Sequence, residues 1–111
     1  AHLHNGDLDA AIDDFRGLLE TSPDFTVAYY HLGTIYAQRG AHDDTLWAFG
    51  KVLERNPREH LAHYHCGVAH FHKGNLDGAI ECFTRVLELS PRDTRARENL
   101  RALEDMRLRF S

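Results

Sequence analysis

Apolar residues recur along this chain at helical spacing. Ile12, Phe15 and Leu19 fall at i, i+3 and i+7, and the trios Leu46, Phe49, Leu53 and Ile80, Phe83, Leu87 repeat that interval. Such spacing puts each trio on one face of an α-helix, and Leu18, Val52 and Val86 widen each stripe. Each helix is expected to end at Ser22, Asn56 or Ser90, because the proline that follows pushes that residue out of the α region. Two further helices are predicted over 26–39 and 60–73, closed by Gly40 and Gly74 in the left-handed turn that glycine favours. A last helix is predicted over 94–109. Ala96, Leu100 and Leu103 face inward there, while Arg97, Glu98, Arg101, Glu104 and Asp105 face water.

These elements repeat with one period. Pro23, Pro57 and Pro91 are 34 residues apart, and so are Gly6, Gly40 and Gly74. The same step relates Phe15, Phe49 and Phe83; Asp9, Asp43 and Asp77; Leu19, Leu53 and Leu87; and Glu20, Glu54 and Glu88. A fixed period of this length marks an array of helix pairs, which bury their apolar faces only by stacking. The expected fold is therefore all-α: a right-handed α-solenoid of antiparallel helix pairs with a concave side. A partial unit over 1–23 precedes units at 24–57 and 58–91, and a C-terminal capping helix fills 92–111. Gly33 and Gly67 cost helix propensity, so their recurrence implies close approach of a second helix. Arg101 stands in their column, so no second helix is expected on 94–109, and the stack ends there. Ala1 to Asn5 align with Ile35–Arg39 and Ala69–Lys73, as the last turn of a first helix whose remainder is missing. The helix at 9–21 would then be partly uncovered, and this end is expected to self-associate or to be covered by upstream residues.

Residues 29–57 and 63–91 resemble the tetratricopeptide repeat family. Leu32, Gly33, Tyr36, Phe49 and Pro57 carry the likeness in one unit, Gly67, Ala79, Phe83 and Pro91 in the next, and Ala11, Phe15 and Pro23 in the first. Thr45 stands where that family prefers Ala, and His63, Cys66 and His70 where it prefers an aromatic, Leu and Tyr. The resemblance implies protein binding on a concave surface lined by the first helix of each unit. Tyr29, Leu32, Gly33 and Tyr36 are expected to pack within their own unit. A second stripe, Val27, Tyr30, Thr34 and Ala37, with Leu61, Tyr64, Val68 and Phe71 in the next unit, is placed by the resemblance on the concave side. Exposed aromatic and aliphatic groups together mark binding surfaces. His31, His65 and His72 border this stripe, and Arg95 and Asn99 continue it on the capping helix. Family members that grip acidic chaperone tails use Lys, Asn and Arg on successive first helices; only Arg95 and Asn99 have that character here. An apolar or amphipathic peptide is the expected ligand, and Tyr30, Tyr64, Val68 and Phe71 its main contacts.

Other chemistry changes this picture little. Nine histidines are present, and His63, Cys66 and His70 share one helical face, which raises a divalent metal site as the alternative. Seven residues span about 10 Å of helix, too far for both imidazoles to reach one ion easily. Histidines beside the groove would charge between about pH 5 and 8 and weaken apolar binding. Two cysteines without CxxC spacing argue against a disulfide framework and for a reducing, cytoplasmic setting. No phosphate loop, HExxH or nucleophile elbow is present, so the chain is expected to be non-catalytic and without cofactor, or a non-catalytic appendage of a larger enzyme. The formal net charge of −4 gives no general pull toward nucleic acid. Six arginines in 92–111 are interleaved with four acids, as on a solvated face. No apolar run reaches the roughly 20 residues of a membrane span.

Overall fold

Six helices in series make up the computed structural model, which describes residues 5–110: α1 (Asn5–Thr21), α2 (Thr26–Arg39), α3 (His42–Arg55), α4 (His60–His72), α5 (Leu76–Leu89) and α6 (Thr94–Phe110). Each packs on the next in sequence, and α2 also touches α4. The result is an all-α solenoid, longest along its stack, 45 × 28 × 25 Å. The helices α2 and α4 are the first helices of their units, and α6 stands in the same place after α5.

Punctuation follows the 34-residue rhythm. Gly40 and Gly74 have φ of 73° and 81°, and their N–H groups cap the preceding helices by donating to Ala37 and Phe71 carbonyls. Asn56 and Ser90 leave the α region at φ −137° and −139°, one residue before their prolines. The same i→i+3 bond closes every proline turn: Phe25 to Ser22, Glu59 to Asn56 and Asp93 to Ser90, at 3.0–3.1 Å. Asn75 and Asp93 side chains then accept from Gly78 and Ala96 N–H groups to start α5 and α6.

The core runs along the seam between helices. Phe49, Leu32, Val86 and Thr45 are its largest fully buried side chains, and Thr45 donates its hydroxyl to the Ala41 carbonyl. Gly33 is required by packing: a Cβ there would lie 2.5 Å from the Phe49 ring. The aligned aspartates have a structural partner as well. Arg39 binds Asp9, Lys73 binds Asp43, and Arg107 reaches Asp77 at 3.3 Å, so each second helix is tied near its start to the C-terminal end of the following helix.

One expectation needs correction. The alignment puts Asn5 in the last turn of a preceding helix, yet Asn5 lies in the first turn of α1, followed there by Gly6. Ala1 to His4 lie outside the described residues. Ile12 is buried on α2, and Phe15 is half-buried where Phe49 and Phe83 are buried; Leu19 is half-buried like Leu53 and Leu87.

Candidate functional site

The groove is built on a chain of rings. Phe49 and Phe83 are each held between the first helix of their own unit and the next helix in that position. Phe49 meets Tyr30 edge-on at 5.4 Å and lies flat against His65 at 4.7 Å. Phe83 meets Tyr64 edge-on at 5.4 Å, and Phe15 stacks on His31 at 5.2 Å. Tyr64 is fixed further from α6: Asn99 donates to its hydroxyl at 3.3 Å, and the Arg95 guanidinium lies 4.5 Å from its ring centre. Burial, helped by Arg95, lowers the His65 pKa from its ordinary range, and burial beside Glu59 raises that of Tyr30.

Two clefts open on this surface. One, of about 340 Å³, lies between α4 and α6; its walls are Tyr64, Val68 and Phe71 on one side and Asn99, Leu103 and Met106 on the other. It is largely apolar, and Phe71 is 39% exposed at its mouth. The second, of about 370 Å³, lies between the end of α2, the start of α3 and α4. His42, His65 and His72 line it with Gln38, Arg39 and Thr45. The His42 and His72 rings stack at 4.9 Å. Val68 and His72 border both clefts.

The residues singled out from sequence divide accordingly. Tyr64, Val68, Phe71, His72 and Asn99 come together in the first cleft, and His65 joins Val68 and His72 in the second. Val27, Tyr30, His31, Thr34, Leu61 and Arg95 line neither. Val27 is exposed and Leu61 half-buried; the Thr34 hydroxyl donates to the Tyr30 carbonyl of its own helix, and His31 covers Phe15. Sequence reasoning missed Met106, Arg39 and His42. The signal for His42 was present: it interrupts a column otherwise filled by Leu8 and Leu76.

The alternative metal trio does not converge. The His63 ring bonds the Pro57 carbonyl at 2.9 Å, while His70 turns to the Asn75 amide at 3.2 Å. Cys66 is buried, which pushes its thiol up to about 12; desolvation of the half-buried Cys82 pushes it up to about 11. Both cysteines are free. Among the described residues no three His, Cys, Asp or Glu groups are placed to hold an ion, and no helix is long and apolar enough to cross a membrane.

Comparison with known proteins places the chain. Two family models, each described as Tetratricopeptide repeat, match residues 1–46 and 60–93. No curated protein gives a significant sequence match. Among solved structures, MamA 41-end from Desulfovibrio magneticus RS-1 superposes with a TM-score of 0.85 at 22% identity, over 92% of this chain and 58% of that one. The first TPR of Spaghetti (RPAP3), bound to the HSP90 peptide SRMEEVD, gives 0.83 at 24% identity, over 91% of this chain and 80% of that one. The first TPR domain of human RPAP3 gives 0.80 at 24% identity, over 90% and 79%. The chain spans 57% and 66% of the length of two further MamA structures that it resembles. The matched columns, the helix-pair stack and the two family models agree: the chain belongs to the tetratricopeptide repeat family.

Proposed function

We propose that this chain is a docking module that holds an apolar or amphipathic peptide segment of a partner protein in its concave groove. Repeats of this family and a structural neighbour holding an HSP90 peptide support a protein–protein interaction scaffold, and the family is generally non-catalytic. The single observation that carries the finer reading is the apolar α4–α6 cleft, with Phe71 exposed at its mouth beside Val68 and Met106. An open apolar recess edged by polar groups is the kind of surface that takes anchoring side chains. Tyr64, Val68 and Phe71 are the anchors on α4. Arg95 and Asn99, the only residues with clamp character, are engaged with Tyr64, which disfavours a ligand held chiefly by two carboxylates. Self-association through α1 is a second route to a partner. Leu18, 37% exposed, and the half-buried Phe15 and Leu19 offer the apolar surface for it.

Phage display against the wild-type chain tests the groove. Selected peptides are expected to carry two or more apolar residues at amphipathic spacing. They should lose binding to Phe71→Ala and to the Tyr64→Ala, Phe71→Ala double variant, with helical circular dichroism unchanged. Undiminished binding to Phe71→Ala would move the site off the groove.

A further inference from the structure

The two clefts differ in chemistry and meet at Val68 and His72. The polar lining of the α2–α4 cleft is the Arg39 guanidinium, the Gln38 amide and the imidazoles of His42, His65 and His72, each of which can offer an N–H. No carboxylate lines it. Of the acids beside it, Asp9 is engaged by Arg39 and Asp43 by Lys73, while Asp44 follows Asp43 in the first turn of α3. Backbone acceptors at the end of α2 are engaged too: the Tyr36 and Ala37 carbonyls accept from Ala41 and Gly40 N–H groups at 2.9 and 3.1 Å. Arg39 spends one nitrogen on Asp9 and keeps further donors, since a guanidinium carries five N–H groups. The stacked His42 and His72 rings span from α3 to α4 and place imidazole edges at the cleft.

A recess of cationic and imidazole donors without an acid complements an anion, and a charged acceptor makes bonds about twice as strong as a neutral one. The recess sits at the C-terminal ends of α2 and α4, away from Arg95 and Asn99 near the start of α6. Because the two clefts share a border, one extended peptide can fill both. We infer that the α2–α4 cleft takes the carboxylate of an aspartate or glutamate in the same docked peptide, so that the ligand is an apolar anchor flanked on one side by an acid. This rests on the peptide-docking reading above and adds the charge and direction of the ligand.

The test uses synthetic ten-residue peptides with blocked ends and a central Leu-Phe pair. Each carries one Glu, Gln or Lys, two to five residues to either side, and binding is read by fluorescence anisotropy. At one placement the Glu peptide is expected to bind about ten-fold tighter than its Gln counterpart, with Lys weakest. The advantage should shrink in 0.5 M salt. The Arg39→Gln, His42→Gln double variant should abolish the Glu-over-Gln preference, read as the ratio of the two affinities within that variant. Phe71→Ala should weaken all of them. Peptides that bind with Glu and Gln equal at every placement, or a Glu preference that survives the double variant, would overturn the acid cleft and leave the docking groove standing. Absence of binding by any peptide would remove the docking groove, and the acid cleft with it.

Discussion

The imidazole of His65 lies flat on the ring of Phe49, centroids 4.7 Å apart and planes 8° from parallel. This contact joins the core of one repeat to the first helix of the next, so packing between units and the charge state of one histidine are linked. Burial, then the nearby Arg95, lowers the folded-state pKa of His65 from 6.5. Between that lowered value and 6.5 the unfolded chain binds more protons than the folded one. His65 therefore contributes a loss of stability as pH drops from about 6.5 toward that lowered value.

Thermal melts from pH 7.5 to 5.5 should show this decline, and His65→Phe, which keeps a flat ring on Phe49, should flatten it. An equal decline in the variant would assign the pH dependence to other groups.

Glycine positions in the two packed helices should respond in opposite directions. At Gly33 an added Cβ lies 2.5 Å from the Phe49 ring, so that ring must shift and Gly33→Ala should cost about 1–3 kcal/mol. At Gly50 an added Cβ meets nothing within 4 Å, and Gly50→Ala should stabilise by about 0.5–1 kcal/mol through helix propensity. Urea unfolding of both variants checks the sign at each site; a stabilising Gly33→Ala would contradict the close approach of α2 and α3.

Thiol chemistry reports on the packing of α4 and α5. With Cys66 and Cys82 pushed up to about 12 and 11, little thiolate is present at pH 8. Native labelling by an aromatic disulfide reagent should run on the order of 100-fold slower than in urea. Comparable rates in the two states would show that the α4–α5 seam opens freely.

The helices and their ends were legible because they depend on residues near in sequence: prolines, glycines and apolar trios that recur every 34 positions. Tyr64, Val68, Phe71, His72 and Asn99 were legible as one surface, because they lie on neighbouring first helices and face the same way. Tyr30 and Thr34 share the columns of Tyr64 and Val68 but not the clefts, and Leu61, in the column of Val27 and Arg95, lines neither cleft. The clefts form where unit meets cap and where the α2–α3 turn meets α4, a matter of how far one helix pair is rotated on the next. The stacking of His31 on Phe15 and of His65 on Phe49 joins different columns in different units, so no single-column comparison exposes it.

The most direct test of the docking groove is a chemical-shift map of the ¹⁵N-labelled chain titrated with a phage-selected peptide. The largest shifts should fall on the backbone amides of Val68, Phe71, His72 and Met106. Tyr29 and Trp47, which meet edge-on at 5.5 Å and line neither cleft, should stay unmoved. Shifts concentrated at Trp47 and Tyr29, with α4 and α6 silent, would contradict the groove.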